Sequence, residues 1–268
     1  MELITLCDGI QLQAEIREQV MEYGNSADFR RRTSAREGLK RMETEEQARA
    51  ELEGILEPDP GKIKMLTCML LCGAEQYSWY EEKGIPETVF WDTMGCFTRF
   101  IKECREKTGM YAFDREWWTA RQTSGKLFRI GALEYERKER DGRKEISMHI
   151  PSDAVLTREN CDVSMEKAKA FFCKYFPEHQ DSEYVCHSWL LAPELKDLLP
   201  PDSRILDFQS RFRIQEVDYL DQGYVEWVFK RTEDKVSEFP EDTLLQRRMK
   251  RHLLEGGKVG IGFGVWKG

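Results

Sequence analysis

The sequence predicts an α+β protein: an all-helical N-terminal domain over residues 1–122, then a domain over residues 123–268 built on a mixed β-sheet flanked by helices. Three observations predict it. Apolar residues recur at helical spacing through the first half, the rhythm changes to period two at Leu127, and the chain closes on a strand whose alternate residues are glycine. In that strand Gly260, Gly262 and Gly264 share one face, and Val259, Ile261, Phe263 and Val265 share the other. Three glycines in register imply a close neighbour, which is either packed chain or a ligand.

The helical half divides at its breakers. Leu12, Ile16, Val20 and Tyr23 define a first helix, with Asp8 as its predicted N-cap and Gly24-Asn25 at its end. Ser34 with Glu37, and Thr44 with Gln47, have capping-box spacing and predict two further helix starts. Pro58-Asp59-Pro60-Gly61 interrupts the chain before a long helix bearing Ile63, Leu66, Leu70, Ala74 and Tyr77. After Pro86 a broad apolar stripe (Val89, Phe90, Thr93, Phe97, Phe100, Ile101, Cys104) predicts one helix ending at Thr108-Gly109. A shorter helix from Asp114 carries Trp117 and Trp118, and the domain boundary falls within 121–125.

In the second half, strands over 127–136 and 145–150 flank Arg140-Asp141-Gly142-Arg143, and Asp-Gly between β-type runs signals a hairpin. A helix capped within Asp162-Val163-Ser164 carries Met165, Ala168, Phe171, Phe172 and Tyr175 and stops at Pro177. A strand over 184–191 follows, then helical chain from Pro193 that extends through 205–212. Strands over 213–219 and 224–229, a helix over 243–254 and the glycine-faced strand complete the order.

Composition narrows the function classes. A charged fraction of 34% and mean hydropathy of -0.63 give a well-solvated surface, while 11% aromatic residues supply a packed core. Net charge of -8 and a pI near 5.3 leave no broad electrostatic footprint for nucleic acid or an anionic membrane. The basic runs Arg30-Arg31-Arg32 and Arg247-Arg248-Met249-Lys250-Arg251 read as solvated helix faces. The N-terminal residues lack a signal-peptide pattern, and no apolar run reaches the roughly 18 residues of a membrane span, so a cytoplasmic protein is expected. The eight cysteines form no C-x-x-C pair, which predicts free thiols and no metal site. H-E-x-x-H, G-x-S-x-G, P-loop and dinucleotide signatures are absent from the sequence.

Several phrases together resemble one family: Phe128-Arg129-Ile130-Gly131-Ala132-Leu133-Glu134, Ser147-Met148-His149-Ile150-Pro151, Cys186-His187-Ser188-Trp189-Leu190-Leu191, Phe208-Gln209-Ser210-Arg211-Phe212 and Leu254-Glu255-Gly256-Gly257-Lys258, with Phe90-Trp91-Asp92-Thr93 in the helical half. The chain is similar to bacterial proteins of the GNAT superfamily that join a helical N-terminal domain to a GNAT-like C-terminal domain. That resemblance implies N-acyl transfer, with acetyl-CoA or another acyl-CoA as co-substrate and an amine on a small molecule or peptide as acceptor. It implies a helical domain covering or extending the acceptor side of the groove. It also implies that pantetheine lies along the strand over 145–150, at Ile150, and that pyrophosphate meets the start of the next helix, which the sequence places near Ser164. The superfamily's glycine loop is missing there, since residues 151–163 contain no glycine. Arg158, Asn160 and Ser164 are therefore the candidate phosphate donors.

Acyl transfer to an amine needs a base, donors for an oxyanion and an acid for the departing thiolate. His149 shares the polar face of its strand with Glu145 and Ser147 and is the first candidate base. His187, in the strand that follows, is the second. Glu134 alternates with Phe128, Ile130 and Ala132; burial there would raise its basicity. The resemblance implies a tyrosine as general acid in the helix after the central strand, but residues 193–212 contain no tyrosine, so the acid must come from elsewhere, and Tyr219 is one candidate among the tyrosines outside that segment. Two alternatives stay open: a non-catalytic GNAT-derived module that binds a ligand or partner, and a purely structural interaction protein.

Overall fold

The computed structural model describes residues 1–230 and 235–267. The chain divides into two compact units, Met1–Ile130 and Gly131–Gly268.

The first unit holds α1 (Leu3–Gly9), α2 (Ala14–Asn25), α3 (Ala27–Arg32), a 3₁₀ segment (Ser34–Lys40), α4 (Glu45–Leu56), α5 (Ile63–Lys83), α6 (Glu87–Met94), α7 (Cys96–Thr108), α8 (Glu116–Thr123) and β1 (Leu127–Ile130). Its axis is α5, which is buried on most sides from Ile63 to Gln76 and packs against α1, α2, α4, α6 and α8. A helix apolar nearly all round must be enclosed by others. The aromatic side chains Tyr80, Phe90 and Phe128 meet in edge-to-face pairs, with Trp79 stacked on Phe128.

The predicted caps of this unit differ from the observed ones. Asp8 lies inside α1 and pairs with Arg17, while Gln13 precedes α2. Thr44 does precede α4, but its hydroxyl donates to the carbonyl of Gly38 and makes no capping bond. Ser34 opens a 3₁₀ segment, not an α-helix. The single helix expected after Pro86 is two, α6 and α7, with Gly95 between them, the residue that stabilises a helix interior least apart from proline.

The second unit holds β2 (Leu133–Arg140), β3 (Arg143–His149), α9 (Arg158–Tyr175), β4 (Glu183–Ser188), α10 (Leu195–Leu198), α11 (Arg204–Ser210), β5 (Phe212–Asp218), α12 (Leu244–Leu254) and β6 (Ile261–Trp266). Its strands lie in the order β2-β3-β4-β6-β5. Only the β3–β4 pair is parallel; β2–β3, β4–β6 and β5–β6 are antiparallel, so the sheet is mixed as expected.

Five expectations are corrected in or beside this unit. The 127–136 strand is two strands, β1 and β2, separated by Gly131, whose φ of 66° turns the chain. The helix expected near Ser164 begins at Arg158, because Thr157 Oγ1 accepts the Asn160 N–H and starts it six residues earlier. The 184–191 strand stops at Ser188, whose hydroxyl accepts from Leu190 N–H and starts a 3₁₀ turn, Trp189–Leu191. Helical chain after Pro193 splits into α10 and α11, with Pro200 and Pro201 between them. Residues 224–229 contain a π-type turn, Val225–Phe229, instead of a strand, and its Val228 and Phe229 pack with Phe239 and Met249.

The glycine face of β6 meets packed chain. A Cβ on Gly262 would lie 2.6 Å from the Leu191 carbonyl oxygen, and one on Gly264 would lie 3.2 Å from Leu191 Cδ1. Only a residue without a side chain lets the turn after β4 settle this close. The opposite face is shared by two apolar groups: Phe263 and Val265 pack with Val185, while Val259 and Ile261 join Leu195, Phe239 and Met249. All eight cysteines are free, and all but Cys173 are buried.

Candidate active site

The site starts from a two-residue turn. Asp141 and Gly142 both take positive φ, 53° and 73°, as a tight hairpin between right-twisted strands requires. That turn sets the register from Arg140 opposite Arg143 to Glu134 opposite His149. Alternation then places Glu134 and Glu136 of β2 on the same face as Ser147 and His149 of β3. The next strand continues this face, because Val185 of β4 pairs with Ser147 and His187 follows two residues later.

Two carboxylates are thereby buried beside one imidazole. Glu136 is 0% exposed and Glu134 2%. Glu136 Oε2 lies 2.8 Å from His149 Nε2 and 3.5 Å from the Lys138 ammonium. A carboxylate beside an ammonium accepts hydrogen bonds only, so His149 Nε2–H is the donor and the lone pair of the neutral ring resides on Nδ1. Such an arrangement makes Nδ1 the accepting nitrogen of the ring and Glu136 the anchor of its Nε2–H. The structure thus sets Glu134 and His149 opposite each other. His187 is on the same face of the adjacent strand, exposed, and opposite Phe263 of β6. Glu136 was missed in the sequence reading, although counting pairs back from the Asp141-Gly142 turn puts it diagonal to His149.

Beside this cluster the sheet opens. Pairing of β3 with β4 ends at Met148 and Cys186, whereas β3 stays paired with β2 through His149 and β4 with β6 through Ser188. Ile150, half-buried, leaves the end of β3 here and leads to Pro151. The chain then reaches the N-terminus of α9, where Thr157, Arg158, Ser203, Arg204, Asp207 and Ser210 line part of a cavity of about 530 Å³.

Arg158 pairs with Asp207 on α11, and Arg211 reaches both Asp162 and the other Asp207 oxygen. Asn160 donates its side-chain amide to the Val155 carbonyl at 2.9 Å. These two residues stand at the helix start; Ser164 does not. It is buried in the second turn, where its hydroxyl lies 2.9 Å from the Tyr135 hydroxyl and accepts the Leu133 N–H. Burial raises the Tyr135 pKa, so this hydroxyl pair is neutral packing between α9 and β2. Tyr219 donates to Glu194 at 2.8 Å, and that bond raises its pKa. Among the described residues no group of side chains has the arrangement of a metal site, and no helix is long and apolar enough to cross a membrane.

Comparison with known proteins supplies the context. Residues 127–266 match the GNAT-like C-terminal domain family, and residues 1–125 match the N-acyltransferase N-terminal domain family. A solved acyltransferase in complex with CoA and 10C-teicoplanin superposes with a TM-score of 0.73 at 22% identity, over 100% of this chain and 99% of that one. An acyltransferase in complex with decanoyl-CoA and teicoplanin gives 0.71 at 21%, over 99% of both chains. Another with decanoyl-CoA gives 0.72 at 21%, over 100% of this chain and 99% of that one. These likenesses show a shared fold. A search of curated protein sequences produced no match.

Proposed function

The chain belongs to the GNAT-like acyltransferase family, and from that premise we propose that it is an acyl-CoA-dependent N-acyltransferase acting on an amine of a small molecule or peptide. The observation that carries this reading is the His149–Glu136 pair standing where β3 and β4 cease to pair. Unpaired strand edges accept an extended amide-bearing chain by adding to the sheet, and pantetheine is such a chain. His149 Nδ1 would receive the proton of the attacking amine, with Glu134 and His187 on the same face as further ionisable groups.

The donor set at the start of α9 fits a pyrophosphate without a glycine loop. Helix-end amides and the Arg158 and Arg204 guanidinium groups offer hydrogen bonds and positive charge. Asp207 opposes an anion there, so Arg158 would exchange its aspartate for the phosphate. Solved neighbours of this fold hold CoA, decanoyl-CoA and teicoplanin, which supports an acyl-CoA donor and a bulky acceptor. We place the activity in the cytoplasm, with the helical domain over residues 1–122 and the transferase domain over 123–268.

Amine-dependent release of free thiol from acetyl-CoA and decanoyl-CoA, across a panel of small amines and peptides, tests the reading. Release that requires both partners supports it. CoA binding without any transfer would favour a non-catalytic ligand module instead.

A further inference from the structure

We infer that Glu136 is the positioning residue of this site: its carboxylate holds the Nε2–H of His149 and so selects Nδ1 as the nitrogen that accepts the acceptor's proton. The inference rests on the acyl-transfer reading for its chemical step, while the coupling between the two side chains stands on geometry alone. A carboxylate with no solvent exposure is expensive unless it is paired and hydrogen-bonded. Glu136 meets that condition through His149 at 2.8 Å and Lys138 at 3.5 Å, both at the same oxygen. The partner of His149 is held on a neighbouring strand, in the register that sets Glu136 opposite Ser147.

The charged and titratable groups on the same face of the sheet as His149 are Glu134, Glu136, Lys138 and Arg140 from β2, Arg143 and Glu145 from its own strand, and Glu183 and His187 from β4. Of these, Glu136 makes the hydrogen bond to the ring nitrogen. An acceptor at that distance fixes which ring nitrogen of the neutral imidazole carries the proton. In the reaction, the amine nitrogen bonds to the thioester carbonyl carbon and the carbon–sulfur bond breaks. The amine proton passes to Nδ1 and then to the leaving sulfur, so the products are an amide and a free thiol.

Glu136→Gln keeps the shape and removes the charge. We expect kcat to fall on the order of 100-fold with KM for acetyl-CoA within about twofold. Glu136→Asp, which keeps the charge, should recover part of the rate. The tautomer of the His149 ring, read from its nitrogen chemical shifts by NMR in the full chain without substrate, separates this inference from the functional one. A ring held with its proton on Nε2 in the wild type and mixed between tautomers in Glu136→Gln supports the pair even if the wild type transfers no acyl group. The same tautomer mixture in both proteins overturns it, even if transfer is robust.

Discussion

The two faces of the second unit's sheet are made by alternate residues of the same strands, and they differ in what they bury. One carries Tyr135, Ile146, Met148, Tyr184 and Cys186, with the bare backbone of Gly262 and Gly264, and it packs rings against Phe172 of α9. Burial there pushes the Cys186 thiol up to about 12 and leaves it an inert apolar group. The other carries Glu134, Glu136, Ser147 and His149 on β2 and β3, polar groups mostly held out of water, beside an apolar patch of Val185, Phe263 and Val265 on β4 and β6. Period-two alternation lets one hairpin satisfy both demands: the apolar face supplies folding energy, and the polar face holds ionisable groups at fixed separations. Mutations should therefore separate into those that cost stability and those that cost chemistry.

The largest expected effect lies on the polar face. His149→Gln should lower kcat by about 10²–10⁴, measured as amine-dependent thiol release per folded molecule. Gly262→Ala strikes the other face. The new Cβ would press on the Leu191 backbone, costing about 1–3 kcal/mol and lowering the melting temperature by several degrees. Its activity per folded molecule should persist, and equal loss of both properties would break the division between faces.

A smaller cost follows from Tyr135→Phe. The variant removes the hydroxyl bonded to Ser164 and should destabilise by about 1 kcal/mol in a denaturant titration. The least effect is pH-linked. Burial, aided by Arg137, holds His179 below its ordinary value of 6.5. The unfolded chain then takes up the proton first, so this contribution to stability is complete above about 6.5 and is lost as pH falls towards the folded-state value. His179→Gln should flatten the acid side of a melting-temperature profile.

Much of this contrast was legible from residue spacing. The Asp141-Gly142 turn and the alternation of 145–149 locate the hairpin, its register and the side on which His149 lies. Pro58, Pro86 and Pro177 mark real helix boundaries. What spacing did not reveal depends on local competition for backbone hydrogen bonds. Thr157 captures the Asn160 N–H and moves the start of α9 six residues before Ser164, which turns a candidate phosphate donor into a packing residue. The π-type turn at Val225–Phe229 has strand-like composition, and tertiary burial of Val228 and Phe229 decides its shape. Glu136 needed the diagonal across a register pair, a relation invisible along one strand.

The central claim, that the His149–Glu136 face and the start of α9 together serve an acyl-CoA, is tested most directly by calorimetric titration of CoA and acetyl-CoA into the wild type and Arg158→Ala. The account predicts saturable binding that weakens in the variant, with ligand at 100 times its dissociation constant stabilising the fold by about 2.7 kcal/mol. No binding heat and no thermal stabilisation at millimolar CoA would contradict it.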